Sequence, residues 1–230
     1  MRNDYQFILN RKTENSPKII IIAGHYGTGK TNISVNSAME LSQYGKISIV
    51  DFDIVNPYFR TADNEEMLSE NGINVILPEF ANTNVDIPSL PKKLYSIFSD
   101  EGTAIIDVGG DDDGATALGV INSEIKESGY EMYFVYNYYR PMIRNAEDAY
   151  EMLKSIENVS GLEFCGIINN SNLGAETTPE DVLDSVDECN ALSKLSGLPV
   201  IAVCALKKFS NKLDLLNNIW YINDITKKLY

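Results

Sequence analysis

Eight consecutive residues, Gly24-His25-Tyr26-Gly27-Thr28-Gly29-Lys30-Thr31, have the types and spacing to hold a polyphosphate: a glycine, four open positions, then Gly-Lys-Thr. Glycine at 24, 27 and 29 lets the backbone take positive φ and approach an anion with no Cβ in the way. Successive N–H groups and the positive end of a following helix would then face the phosphates. Lys30 would put a point charge on the β and γ oxygens and serve turnover, and the Thr31 hydroxyl is placed to ligate Mg²⁺. The whole stretch Gly24–Thr31 is therefore expected to contact a nucleoside triphosphate. The plainer reading, a glycine turn that precedes a lysine, does not account for what flanks it.

Those flanks are a strand and a helix. Lys18-Ile19-Ile20-Ile21-Ile22-Ala23 is a β-branched apolar run that reads as a buried strand. A helix is expected from Lys30 to Tyr44, with Val35, Ala38, Met39 and Ser42 on one face and Gly45 at its end. A second strand, Lys46–Val50, runs into Asp51-Phe52-Asp53, two carboxylates at i and i+2 where parallel sheets place their ligands. The alternative is a pair of solvated turn acids. Asn56–Arg60 follows as a loop, with Tyr58 and Phe59 covering the site or simply packing. Ile73–Leu77 is a short third strand, and a helix is expected over Leu94–Ser99.

Thr103–Val108 is apolar up to Asp107 and is followed by Gly109-Gly110. An aspartate ending a buried strand, with a glycine three residues on, matches a second nucleotide signature. There the carboxylate holds a Mg²⁺-bound water and the glycine N–H senses the γ-phosphate. Asp111, Asp112 and Asp113 are solvated loop acids, or one of them serves the metal or a substrate amine.

The second half continues the alternation. Ala115–Ser128 fits a helix and Met132–Tyr136 a strand; Tyr138-Tyr139-Arg140-Pro141 opens a helix reaching Asn158. Arg140 at the carboxyl end of a strand faces phosphate or a partner, or forms a surface ion pair. Phe164–Asn169 is a strand closing on Asn169-Asn170-Ser171-Asn172, where side-chain amides, Asn169 and Asn170 first, would meet the base. No Asn-Lys-x-Asp guanine reader is present, which favours adenine. Thr178-Pro179-Glu180-Asp181 is a helix start, Leu198–Cys204 a seventh strand. Leu215, Ile219, Ile222, Ile225 and Leu229 predict a last helix with a core-facing stripe. The fold class is α/β: one domain with a mostly parallel twisted sheet of about seven strands and helices on both faces. Residues 18–230 would form it, preceded by a polar arm, 1–17, with an apolar knot at Tyr5–Leu9.

Composition narrows the partners. A formal charge of −14 over 230 residues argues against a nucleic-acid backbone and against an anionic membrane surface. Cys165, Cys189 and Cys204 form no CxxC, and Cys165 and Cys204 read as buried small hydrophobes. The first residues lack the apolar core of a signal peptide and no run reaches membrane length, so a soluble, cytoplasmic protein is expected. His25 is the only histidine, which removes histidine-cluster metal sites and a Ser-His-Asp triad elsewhere.

Together, Gly24–Thr31, Val50-Asp51-Phe52-Asp53-Ile54 and Ile106-Asp107-Val108-Gly109-Gly110 resemble the MinD/ParA and CobQ/CobB branch of P-loop proteins. More narrowly, Gly24–Thr31, Asp51–Arg60 and Asp107–Asp112 resemble three blocks of a subgroup of ATP-binding proteins from anaerobic bacteria. The resemblance implies ATP and Mg²⁺ as ligands, Lys30 and Thr31 on the phosphates and metal, and Asp53 orienting the attacking water. It places Asp51 and Asp107 in the metal's outer shell and Asn169 on the base. It also implies a nucleotide-dependent homodimer and an unidentified protein partner. One position departs: where the family carries a lysine that reaches across the dimer, this chain has His25, followed by Tyr26 in place of a glycine. Another cation, such as Arg140 or a partner's residue, would have to replace it. The expected function is a slow ATPase acting as a switch whose Asn56–Arg60 and Gly109–Asp113 loops reshape on hydrolysis. The alternative is an ATP-dependent small-molecule ligase or phosphotransferase of the dethiobiotin synthetase or CobB type, with Tyr58, Tyr138 and Tyr139 lining a substrate pocket. A GTPase is the weakest reading for want of the guanine motif.

Overall fold

β1, Ile-Ile-Ile-Ile-Ala, has every residue buried, which a strand can achieve only with both faces covered and both edges paired. The computed structural model describes residues 18–53, 64–77, 92–109, 112–213, 216 and 218–225. The expected N-terminal arm, the loop with Tyr58, Gly110, Asp111, Leu215 and Leu229 lie outside them. In order, the elements are β1 (Ile19–Ala23), α1 (Lys30–Leu41), β2 (Ile47–Phe52), α2 (Glu65–Glu70), β3 (Asn74–Ile76) and α3 (Ser96–Ser99). Then come β4 (Thr103–Val108), α4 (Asp112–Val120), α5 (Asn122–Ser128), β5 (Tyr130–Tyr136), α6 (Ala146–Ser160) and β6 (Gly166–Asn169). The chain continues with α7 (Pro179–Asp184), α8 (Val186–Ser196), β7 (Val200–Leu206) and β8 (Ile219–Ile222).

One sheet of eight strands runs β3-β2-β4-β1-β5-β6-β7-β8, and every pair in it is parallel. Alternate residues of β1 separate two cores. Ile19, Ile21 and Ala23 join Leu118, Ile125, Leu153 and Leu192 from α4, α5, α6 and α8 on one face. Ile20 and Ile22 join Ile33, Ala38 and Leu68 from α1 and α2 on the other. The sheet grows to one side of β1 through β2, β3 and β4, and to the other from β5 on. The strand order therefore reverses beside β1, where crevices for ligands form at carboxyl ends. No helix among the described residues is long and apolar enough to cross a membrane.

Several elements fall as the sequence predicts. α7 opens with a capping box in which Asp181 N donates to Thr178 Oγ1 and Thr178 N to Asp181 Oδ2. Others differ. The expected helix over Ala115–Ser128 is broken at Ile121 into α4 and α5. The helix expected from Tyr138 begins at Ala146, after a 3₁₀ turn at Pro141–Ile143, because Asn145 caps it by accepting from Asp148 N at 2.7 Å. Cys204 and Cys189 are buried, but Cys165 is exposed, one residue ahead of β6.

The main correction is at the carboxyl end. Ile219 and Ile222 were spaced for a helix, yet Ile219–Ile222 is an eighth strand, parallel to β7 in the register Val203↔Ile219 to Leu206↔Ile222. Four β-branched or aromatic residues in a row suit a pleated surface, and their local alternation has period two. Trp220 and Ile222 enter the α1-side core, while Ile219 and Tyr221 pack on the small cluster around Val203 and Phe209. Polar contacts from α1 complete the assignment. Trp220 Nε1 donates to Glu40 Oε1 at 2.9 Å. Asn36 accepts from Asn223 N at 2.9 Å and donates to Asn223 O at 3.0 Å, and Asn32 Oδ1 accepts from Ile225 N at 3.0 Å.

This clamp leads to three predictions. Trp220 is the sole tryptophan and is fully buried, so native emission should be blue-shifted and shielded from acrylamide. A helical, solvent-facing carboxyl end would give exposed emission instead. Asn36→Ala strands two backbone groups of Asn223 and should cost roughly 1–3 kcal/mol, read as a lower urea midpoint. Burial raises the Glu40 carboxyl above its ordinary value, against the Trp220 hydrogen bond and the Lys207 charge. A raised folded-state pKa means the Glu40 contribution is largest at acid pH and is lost as pH rises through that value. The stability of Glu40→Gln relative to the parent should accordingly climb as pH rises from about 4 toward neutrality.

Candidate functional site

β1 delivers the chain into Gly24–Gly29, and α1 carries it away. Gly27 and Gly29 have φ of +74° and +88°, left-handed values that a side chain would strain. Gly29 stands ahead of α1, which has no side-chain cap and no acidic residue in its first turn. Its positive end is thus offered to whatever enters the cavity beside it. The loop closes on one carbonyl: His25 O accepts from Thr28 N at 3.3 Å, Thr28 Oγ1 at 2.8 Å and Lys30 Nζ at 3.0 Å. β5 seats it from beneath, since a Cβ at Gly24 would stand 2.6 Å from Val135 O. Asn170 seats it from the side, donating from Nδ2 to Thr28 O at 2.8 Å, and a Cβ at Gly29 would overlap that same nitrogen.

Facing the loop are three carboxylates. Asp51 on β2 and Asp107 on β4 are direct register partners, 2% and 4% exposed. In-register neighbours on adjacent strands stand about 4.8 Å apart, so two buried acids share one spot. Asp51 Oδ1 accepts from Asp53 N at 3.1 Å, and Asp107 Oδ1 from Ser34 Oγ of α1 at 3.1 Å. Asp53, just past β2, lies against Gly109, where any Cβ would collide with it.

These groups open into one cavity of about 640 Å³. Of the residues the sequence singles out, Tyr26, Gly27, Gly29, Lys30, Thr31, Asp51, Asp53, Asp107 and Asn170 line it. Gly24 and Thr28 build the loop from behind, and His25 contributes its carbonyl. Asn169 is not brought to the cavity. It is fully buried, accepting from Ser171 N and Oγ at 3.1 and 2.6 Å and donating to Ser185 Oγ at 2.9 Å. Strand side chains alternate in direction, so only one of two neighbouring asparagines reaches the loop, and its amide holds Thr28 O. Asp113 is exposed on α4. Arg140 lines the cavity with its guanidinium against Gly27, and no ion pair links it to a described carboxylate.

Sequence reasoning placed Asn172 in the base-facing stretch but missed the rest of the far wall: Asn32, Leu206, Ile222 and Asp224. Three of these arrive on β7, β8 or just beyond, and reading β8 as a helix hid them. Chemically, the site combines an uncapped helix start, a buried ammonium and a guanidinium with hard oxygen donors. That set suits a phosphate chain accompanied by Mg²⁺, which takes one or two carboxylates and leaves the remaining positions to phosphate and water. The described residues hold no cluster of three or more His, Cys, Asp or Glu able to bind a metal by themselves.

No family model matches the chain, and no curated protein matches it significantly in sequence. Solved structures do match in shape. Signal recognition particle 54 kDa protein from Aeropyrum pernix, in complex with GDP, aligns with a TM-score of 0.53 and 16% identity, over 86% of this chain and 45% of that one. FtsY from Thermotoga maritima gives 0.54 and 18% over 85% of this chain and 67% of that one. FtsY from Mycoplasma mycoides gives 0.52 and 19% over 85% and 65%. The chain spans about half to two thirds of the length of these structures. At such identities the likeness is one of fold alone: this chain, with its parallel eight-stranded sheet, its helices and a Gly-x-x-x-x-Gly-Lys-Thr loop after β1, has the α/β P-loop NTPase fold.

Proposed function

We propose that this chain is a Mg²⁺-dependent ATP-binding protein, a slow ATPase that serves as a nucleotide-dependent switch or adaptor for a partner protein. The observation that supports it most is the convergence, in one cavity, of the buried Lys30, the uncapped start of α1 and the in-register pair Asp51–Asp107. Lys30 and the loop N–H groups would hold the phosphates; Thr31, Asp51 and Asp107 would serve Mg²⁺ and its waters. Asp53 would orient the attacking water, a role supported by its place on the cavity wall beside Gly109, the residue before the glycine expected to sense the γ-phosphate. The chain leaves β2 through Asp53 and β4 through Gly109, so two segments begin where loss of the terminal phosphate would be felt. Residues 18–230 would form the nucleotide-binding domain, and a nucleotide-dependent homodimer follows from the resemblance to MinD/ParA and CobQ/CobB proteins. The net charge of −14 leaves nucleic acid and anionic membranes out of the reading.

Adenine is preferred because the guanine-reading motif is missing; GDP in the Aeropyrum structure makes guanine the competing base. A second reading, an ATP-dependent ligase or phosphotransferase, is favoured by Tyr139, which lines the cavity with its hydroxyl fixed to Asp181 O at 3.0 Å.

Phosphate release from ATP and GTP with Mg²⁺, with mass followed by light scattering, tests the proposal. Slow ATP-selective release with an ATP-dependent rise in mass is expected. Tight binding at unchanged mass without release would favour the ligase instead. Lys30→Ala removes a charged donor and should weaken ATP by at least about 100-fold; unchanged affinity and turnover would sink the reading. Asp53→Ala should leave affinity nearly intact and slow hydrolysis by about 10²-fold, whereas a pure loss of affinity would reassign it to binding.

A further inference from the structure

We propose that Arg140 acts in cis as the cation of phosphoryl transfer, so the site needs no charge from a second subunit; this rests on the nucleotide reading above. Arg140 leaves β5, the strand hydrogen-bonded to β1 through Ala23↔Phe134, so its loop begins beside the glycine loop. The guanidinium lies on the glycine itself. A Cβ at Gly27 would stand 3.2 Å from Arg140 Cζ, 3.3 Å from Nε and 3.5 Å from Nη1. Arg140 Nε is buried and has no hydrogen-bond partner among the described residues. A buried donor left unmade is costly, and this chain offers 33 Asp and Glu that could satisfy it. An arginine that reaches the phosphate end of the cavity in so acidic a protein, and pairs with none of the described carboxylates, is held for an anion from outside.

Its backbone is fixed for that purpose. Arg140 N donates to Asn137 O at 3.0 Å, Ile143 N donates to Arg140 O at 3.1 Å, and Tyr139 N donates to Oδ1 of the fully buried Asn137 at 3.0 Å. Pro141 restricts Arg140 to extended backbone, and it has φ −91° and ψ 122°. A planar fork of N–H donors on a fixed stem suits phosphate oxygens better than a flexible ammonium. In hydrolysis a water oxygen bonds to the terminal phosphorus while the bond to the bridging oxygen breaks. That oxygen keeps the electron pair, and the proton from water leaves on the released phosphate. Arg140 would neutralise the charge growing on these oxygens, the part an arginine finger plays when supplied in cis or in trans. It would thereby supply from a different element the charge that the MinD/ParA proteins this chain resembles place at the position of His25.

The test compares the parent chain with Arg140→Ala and Arg140→Lys. The readout is affinity for the diphosphate of whichever nucleotide the parent binds, with and without aluminium fluoride and Mg²⁺, by titration calorimetry, alongside turnover. The aluminium fluoride complex mimics the transferring phosphoryl group and needs no turnover to be measured. Arg140→Ala should lose affinity for that complex by about 10³-fold or more while diphosphate affinity changes less than about tenfold, and turnover should fall in parallel. Arg140→Lys should recover only a small part. Mixing Arg140→Ala with Lys30→Ala should restore nothing.

Retention of the fluoride complex by Arg140→Ala, or equal loss of both affinities, overturns the proposal, as does recovery of turnover in the mixture. A parent chain that binds nucleotide but not the fluoride complex overturns this inference alone. One that binds no nucleotide overturns the function proposed above as well. Trp220 emission reports whether each variant is folded; if the alanine variant is not, Arg140→Lys carries the comparison, and a fluoride complex of parental affinity in it overturns the proposal.

Discussion

Everything at the cavity depends on one strand that has no polar side chain to spend. Ile19–Ala23 must be covered on both faces and hydrogen-bonded on both edges, and the parallel neighbours β4 and β5 satisfy the edges. That placement fixes three exits side by side. β1 ends in the glycine loop, β4 ends in Asp107 and Gly109, and β5 ends in the turn that carries Arg140. A Cβ at Gly24 would meet the backbone of Val135, so the packing of β5 onto β1 and the shape of the loop are one constraint.

The charges around the loop follow from register rather than from sequence proximity. Asp51 and Asp107 face each other because β2 and β4 pair with those residues opposed. Two buried acids side by side are unfavourable unless positive charge arrives. Lys30 on the loop and Arg140 beyond β5 line the same cavity, and Ser34 of α1 donates to Asp107. The cavity is thus an arrangement of opposing charges on rigid ends of strands and a helix.

The phosphate loop, the strand–helix alternation and the three carboxylates were readable because each is local: a fixed spacing, an apolar run, an acid at the end of that run. What escaped was set by tertiary partners. Ile219–Ile222 fits helical spacing and strand alternation equally well over so short a span, and pairing with β7 together with the Glu40 bond to Trp220 decided it. Asn169 and Asn170 are indistinguishable by type; the pleat sends one to Ser185 and the other to the loop. Cys165 sits in an apolar stretch yet is exposed, since β6 begins one residue later. Arg140 was legible as a cation at a strand end, but not as the one resting on Gly27.

The same all-parallel sheet also governs how the protein comes to be. Ile19 pairs with Ala104 on one edge and Tyr130 on the other, so the central strand is completed only after more than half of the chain has been made. Pairings that distant close large loops before they are rewarded, which makes folding slow and leaves the isoleucine run exposed meanwhile. The glycine loop has no seat until β5 arrives and no lateral support until Asn170 follows. On the proposed reading, a nucleotide would find no seat on the early chain and could only trap the finished one.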